Sequence, residues 1–231
     1  MITVSVIVPA FNEEATIIEI LESVARQRID GFAFEVLVVD DGSTDNTVHR
    51  LESRPELYTK LIRMPVNGGK GAAVKAGLHA ATGDYILFQD ADLEYDPDEY
   101  RRLLLPVRRF DADLVIGSRV VAVEYTRVLY FWHKVGNWFI STIFNILHNT
   151  TFTDIYSCFV VYRRRLVDPD RLKTRGWEQQ AEILSHIVKR GKNLYEVPIN
   201  YRGRTVEEGK KIRPHHVIPV LWTIIFRRFM P

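Results

Sequence analysis

Cysteine is nearly absent from the 231 residues. Cys158 stands alone, which excludes an internal disulfide and a thiolate zinc framework. Charge bias is nearly absent too: 31 basic against 29 acidic residues leave a formal net charge of +2, which gives no ground for a nucleic-acid partner, and none is expected. No uninterrupted apolar run reaches the length of a bilayer span. The opening MITVSVIVPAFNEE has no basic segment and meets Pro9 and Asn12 too early for a secretory signal. These absences lead to the expectation of a reducing, cytoplasmic compartment. Repeats, low-complexity tracts and linker-like composition are missing as well, so a single domain over residues 1–231 is expected.

The first half of the chain alternates short apolar runs with amphipathic stretches. Thr3–Val8, Glu35–Val39, Leu61–Met64, Tyr85–Gln89 and Asp113–Gly117 are rich in Val, Ile and Leu and are expected as strands. Between them, Glu13–Gln27, Asp45–Glu52, Gly71–Ala81 and Pro97–Arg109 are expected as helices, with start signals at Asn12, at Ser43 or Thr44, and at Asp96 before Pro97. Near-continuous apolar strands separated by helices imply an α/β fold, a mostly parallel sheet covered on both faces. After Arg127 the texture becomes aromatic. RVLYFWHKVGNWFISTIFNILHN is followed by a strand in CFVVYRR, a helix in WEQQAEILSHIVKRG, a strand in LYEVPINYR and an apolar tail ending in basic residues.

Three of the expected strands run into polar clusters: PAFNEE, DDGSTD and DADLE. Ligands of open parallel sheets bind outside the carboxyl ends of the strands, so three such ends make a candidate site. Asp90 and Asp92, one residue apart, suit one hard divalent cation, Mg²⁺ or Mn²⁺, which takes oxygen ligands and keeps positions open for substrate phosphates. Helix capping is the competing use of acids here; it accounts well for Asp96 and Asp98 and poorly for Asp90, which directly follows a strand. Asp40 and Asp41 could either form a turn and cap or accept hydrogen bonds from a nucleotide's hydroxyl and N–H groups. NGGKGAA offers a flexible backbone and Lys70 ahead of a helix, but lacks the Lys-Ser or Lys-Thr pair of a P-loop.

Taken in order, VSVIVPAFNEE, VLVVDDGSTDNT, NGGKGAAVKAGLHAATGDYILFQDADLEYDP and DLVIGSR resemble the inverting family-2 glycosyltransferases of GT-A fold. The later TDIYSCFVVYRR, EVPINYRGRTVEEGKKI and the basic apolar tail look like the polyprenyl-phosphate sugar transferases among them, the dolichyl-phosphate mannose or glucose synthase type. The resemblance implies a Rossmann-like sheet flanked by helices, with amphipathic C-terminal helices at a membrane interface. It divides the chain into a nucleotide-sugar half at 1–119, an acceptor half at 120–213 and a terminal helix at 214–231.

The resemblance also implies roles. Pro9, Phe11, Asn12 and Glu13 would line the nucleotide pocket, Asp40 and Asp41 would contact base or ribose, and Lys70 would lie near the nucleotide. Asp90 and Asp92 would form the metal-binding DXD motif with the Ala91 backbone against the ribose, and Glu94 would be a further metal ligand. Arg119 would face the acceptor phosphate, and Arg204 with Lys210 would close over the donor diphosphate, Lys211 competing for that part. Lys134 and Asn137 match the basic residue and asparagine of a membrane-interface helix, although Leu129 to Leu147 also suits a core helix. The partners implied are a nucleotide sugar, GDP-mannose or UDP-glucose, and a polyprenyl phosphate, dolichyl or undecaprenyl. The protein would sit peripherally on the cytoplasmic face, held by surface helices or an anchoring partner. Three other readings stand beside this one. A sugar-hydroxyl acceptor would need a carboxylate base, for which Glu178 is the candidate, unless that acid merely favours a helix start. A nucleotidyltransferase would carry a glycine-rich loop where this chain has PAFNEE. A catalytically silent nucleotide-sugar-binding module would not need the full acid set.

Overall fold

The computed structural model describes residues 1–121, 131–203 and 217–229. Seven strands form one sheet, β1 (Ile2–Ala10), β2 (Phe32–Asp40), β3 (Lys60–Arg63), β4 (Tyr85–Phe88), β5 (Leu114–Ser118), β6 (Val160–Arg163) and β7 (Leu194–Pro198), in the order β3-β2-β1-β4-β6-β5-β7. All pairings are parallel except those of β6, which runs antiparallel to both β4 and β5. β1 connects through β2 and β3 on one side, and the chain then returns to place β4 on its other side. The switch in strand order therefore opens a crevice at the carboxyl ends of β1 and β4, where such folds bind ligands.

Helices α1 (Ile17–Arg26), α2 (Thr47–Glu52), α3 (Lys70–Ala80), α4 (Tyr100–Phe110), α5 (Phe131–His148), α6 (Gln179–Val188) and α7 (Val217–Phe229) complete the described elements. The period-2 alternation of each strand splits the apolar residues between two cores. Val4, Val6 and Val8 of β1 enter one core with Ile17 and Leu21 of α1 and Leu103 of α4. Ile7 of the same strand enters the other, with Val74 of α3, Leu184 of α6, Phe144 of α5 and Ile224 of α7. Burial on both faces explains why the strands read as unbroken apolar runs.

The helix starts differ from expectation. Asn12 and Ser43 cap nothing; α1 begins only at Ile17 and α2 at Thr47. Their side chains instead tie the two loops together. The Asn12 N–H donates to Ser43 Oγ at 3.0 Å, and the Thr44 N–H donates to Asn12 Oδ1 at 2.9 Å. Asn12 adopts φ 53°, a left-handed conformation that asparagine tolerates better than most residues. The Asp96 signal holds: its carboxylate accepts the Asp98 N–H at 3.0 Å over a short 3-10 turn with Pro97 at its first position. The aromatic stretch forms α5 and the tail forms α7. Each buries one face and exposes the other: Phe131, Trp132, Trp138 and Ile146 on α5, and Ile218, Trp222 and Phe229 on α7. Among the described residues no helix is long and apolar enough to cross a membrane.

Candidate active site at the β1–β4 crevice

The carboxyl ends of β1, β2 and β4 bring the three polar clusters to one edge of the sheet. Lys70 opens α3, and its ammonium lies 2.5 Å from Asp90 Oδ1, 3.4 Å from Cys158 Sγ and 5.2 Å from the centre of the Trp177 ring. Burial works against the charge, but the Asp90 carboxylate above all, with Asp92 behind it, outweighs it and raises the Lys70 pKa above the ordinary lysine value. The same neighbourhood, by burial first and Asp90 second, pushes the Cys158 thiol up to about 12, so it stays protonated at neutral pH. A small pocket opens beside this group, lined by Pro9, Phe88, Tyr156, Cys158 and Trp177.

The acids of the β4 end are separated by a backbone reversal. Leu93 takes φ 62°, a region that costs a non-glycine residue on the order of 1 kcal/mol. The reversal lets Asp92 Oδ1 accept the Glu94 N–H at 3.2 Å. It also sends Glu94 away from Asp90: its Oε2 accepts the Tyr201 hydroxyl at 2.5 Å. Among the described residues no three His, Cys, Asp or Glu side chains converge as a metal cage. Asp90 and Asp92 remain a pair of hard oxygen donors at the crevice. That is the protein share expected for a Mg²⁺- or Mn²⁺-type site completed by substrate phosphates and water, so the residues present fit such an ion.

Other expected residues serve the frame as well. Asp41, whose pKa burial raises, accepts the Gly68 and Gly69 N–H groups at 2.8 and 2.9 Å, tying the end of β2 to the NGGKG loop. Asp40, also buried, accepts the Ser43 N–H at 3.3 Å. The loop's glycines answer to packing rather than flexibility. A Cβ on Gly71 would lie 2.5 Å from the carbonyl carbon and oxygen of Arg175, and one on Gly69 3.0 Å from that oxygen. Pro9, Phe11 and Glu13 are half-buried at the end of β1, and Ala91 is buried between the two aspartates.

Arg119 is not a free cation. Its Nε and Nη2 donate to Asp154 at 2.7 and 2.8 Å, its own N–H donates to the same carboxylate at 3.1 Å, and its guanidinium lies 5.0 Å from the Tyr201 ring centre. Asp154 is fully buried; desolvation opposes its charge, and Arg119 more than compensates, so its pKa falls below the usual carboxylate value. Asn137 of α5 donates to Asp154 at 3.0 Å, so the asparagine singled out in the sequence anchors α5 to the Arg119–Asp154 pair. Lys134, one turn earlier, is exposed. Glu178 immediately precedes α6; its carboxylate accepts the Gly176 N–H at 3.1 Å, within the loop before the helix, and makes no capping bond to the first turn of α6. Arg204, Lys210 and Lys211 lie outside the described residues. Asp154, Tyr201, Trp177 and Glu182 were not anticipated as site or supporting residues. TDIYSC places Asp154 ahead of an apolar strand, whereas Asp90 follows one, so the strand-end pattern that singled out Asp90 did not reach Asp154.

A curved, mostly parallel sheet with paired carboxylates and a half-buried ammonium at its switch-point crevice is the GT-A glycosyltransferase architecture. The chain belongs to glycosyl transferase family 2, whose model matches residues 5–169. It is 30% identical over 216 residues to the low-salt glycan biosynthesis hexosyltransferase Agl6 of Haloferax volcanii, covering 92% of this chain and 51% of that protein. It is 30% identical over 224 residues to the dolichol-phosphate mannosyltransferase of Pyrococcus furiosus, covering 90% of this chain and 60% of that protein. The chain thus spans between half and three fifths of the length of these relatives. Among solved structures, glucosyl-3-phosphoglycerate synthase from Mycobacterium tuberculosis, in complex with Mn²⁺, UDP and phosphoglyceric acid, superposes with a TM-score of 0.73 at 23% identity, covering all of this chain and 80% of that one. The same enzyme with Mg²⁺ and UDP gives 0.72.

Proposed function

We propose that the chain is a metal-dependent, inverting hexosyltransferase that takes its sugar from GDP-mannose or UDP-glucose and delivers it to a polyprenyl phosphate at the cytoplasmic face of a membrane. The observation that carries the reading is the convergence of Lys70, Asp90 and Asp92 at the β1–β4 crevice. The exposed aromatic faces of α5 and α7 beside it support the lipid acceptor. Aromatic residues with the nearby exposed Lys134 and Arg228 suit the headgroup layer of a bilayer. The names of the two relatives, a hexosyltransferase and a dolichol-phosphate mannosyltransferase, agree with this acceptor class.

Asp90 and Asp92 would hold the divalent ion, which when bound supplies charge for the donor diphosphate. Pro9, Phe11, Asn12 and Glu13 would border the nucleotide, and Lys70 adds fixed positive charge where the diphosphate leaves. An oxygen of the lipid phosphate attacks the anomeric carbon from the face opposite the nucleotide. The bond to the diphosphate oxygen breaks, and its electron pair goes to that oxygen. A phosphate oxygen is already anionic near neutral pH, so no general base is needed. The protein's work is positioning and charge, from Lys70, Arg119, Lys134 and the segment of Arg204 and Lys210. Glu178 is engaged by the Gly176 N–H of its own loop, which favours a structural part for it over that of a base for a hydroxyl acceptor.

The test is transfer of labelled mannose or glucose from each donor to a polyprenyl phosphate in detergent or vesicles. Labelled lipid should form, disappear with a chelator, return with Mn²⁺ or Mg²⁺, and be lost in Asp92→Ala. Full activity in Asp92→Ala overturns the metal role, and transfer confined to a water-soluble sugar acceptor overturns the lipid.

A further inference from the structure

Glu182 lies in the first turn of α6, fully buried where α7 packs against that helix. A carboxylate there is costly unless it is both paired and hydrogen-bonded. It is paired with Arg227 of α7, itself buried and the charged residue of that helix's inward face. Its remaining capacity goes to the segment before α6. It accepts the Lys173 N–H at 3.0 Å, the Thr174 N–H at 2.9 Å and the Thr174 hydroxyl at 2.5 Å.

That segment leads into the crevice. The next residue, Arg175, accepts the Gly71 N–H on its carbonyl at 2.8 Å. Gln179 Nε2 bridges the same two strands of chain, donating to the Gly71 carbonyl at 2.6 Å and the Thr174 carbonyl at 3.3 Å. Backbone meets backbone here at a distance that admits no Cβ on Gly71. A displacement of residues 173–175 is therefore passed to the first turn of α3, which carries Lys70 and its contact with Asp90. Trp177, whose ring faces Lys70, belongs to the same connection.

The geometry points to Arg227 and Glu182 as positioning residues of the donor site. The seating of the C-terminal helix, through this buried ion pair, fixes residues 173–175 and with them Lys70. The inference rests on the reading of the crevice as the site of a nucleoside diphosphate and its cation. Neither residue touches that ligand. Removing the guanidinium leaves Glu182 without its counter-charge, and the carboxylate can no longer remain where it orders Lys173 and Thr174. Linkage works in both directions, so occupation of the crevice must in turn protect the amides of this segment.

The experiment is equilibrium binding of GDP and UDP, each with Mn²⁺, to the full chain well below its melting midpoint, where a change in global stability leaves the affinity of the folded molecule unaltered. Arg227→Met should weaken the bound nucleotide by about tenfold, within the range of ordinary intersite coupling. The pair Glu182→Gln with Arg227→Met should recover most of the loss, because glutamine still accepts the two N–H groups without a charge. Arg228→Met, on the same turn but donating to the Leu147 carbonyl of α5, should bind as wild type does. Should Arg227→Met not fold, Arg227→Lys gives the same comparison with a smaller loss. Hydrogen exchange provides a second readout: amides of 173–175 and of 71–73 should open together in the Arg227 variant. Affinity within about twofold of wild type, the scatter of independent sites, overturns the coupling, as does exchange that rises at 173–175 alone. A wild-type chain that binds neither nucleotide overturns the donor-site reading itself.

Discussion

Gly71→Ala sets two effects against each other. Gly71 is the second residue of α3, so helix propensity alone favours alanine by up to about 1 kcal/mol. The added Cβ, however, would sit 2.5 Å from both the carbonyl carbon and the oxygen of Arg175 and 2.8 Å from its Cα. These are backbone atoms, held by the Gly71 N–H and, one residue earlier, by Glu182, so no side-chain rotation relieves the clash. Overpacking of this kind costs about 1–3 kcal/mol, and stretching the Gly71 hydrogen bond removes roughly another 1 kcal/mol. The clash wins, with a net destabilisation of about 1–3 kcal/mol; at roughly 2–4 °C per kcal/mol for a domain of this size the melting midpoint falls by several degrees. Gly136→Ala in α5 is the matched control. No atom lies within 4 Å of its added Cβ, so the propensity gain of about 0.5–1 kcal/mol stands unopposed. Thermal and urea unfolding of the two variants should therefore move in opposite directions, with nucleotide affinity falling only in Gly71→Ala. A Gly71→Ala protein as stable as wild type refutes the close-packing account of the NGGKG loop.

Two further outcomes follow from buried ionisable groups. Burial, then Arg228 and Lys189, holds the His148 pKa at about 4, against 6.5 for the free side chain. Between those values the unfolded chain binds a proton that the folded chain does not, so stability should fall as pH drops from about 6.5 toward 4. His148→Gln should flatten that slope in melting midpoints taken across the window, and an unchanged slope assigns the acid sensitivity elsewhere. Arg119→Ala leaves the buried Asp154 carboxylate without its bidentate partner, a loss of about 3–5 kcal/mol in urea unfolding. Arg119→Ala with Asp154→Asn should regain much of it, and a single variant of wild-type stability would mean that the pair is not held as described.

The fold was largely legible because burial on both faces leaves an unbroken apolar run, and five such runs separated by amphipathic stretches admit few arrangements. Strand β6 escaped that logic. Its composition resembles that of its parallel neighbours, and direction within a sheet is set by the path of the preceding chain. The site was legible as strand ends but not as partners. Asn12 and Ser43 have the composition of helix caps, and composition cannot distinguish a cap from a link between two loops 31 residues apart in sequence. The glycines around Lys70 could signal freedom of the backbone or close approach, and only the position of Arg175 decides for approach. Arg119 was expected to face an acceptor phosphate, and its pairing with Asp154, 35 residues away, was not foreseen. Long-range pairing of charges has no local signature.

The three acids after β4 illustrate how such pairing settles a site. Spaced two apart, carboxylates that all faced one point would repel strongly, and an ion alone would have to compensate them. The structure divides the problem before any ligand enters. Lys70 lies against Asp90, the left-handed turn at Leu93 gives Asp92 a backbone donor, and Tyr201 takes the far oxygen of Glu94. Each contact weakens the repulsion among the three carboxylates, which is what the proposed cation site at Asp90 and Asp92 requires of the protein before a ligand enters. Glu94 belongs to a different interaction. Through Tyr201, whose ring also faces Arg119, it joins the β4 end of the crevice to the Arg119–Asp154 pair. An acid held by a tyrosine in this way has its position fixed without a metal. Glu94→Gln should therefore keep the hydrogen bond to Tyr201 and leave metal affinity nearly unchanged, whereas Asp92→Asn should not.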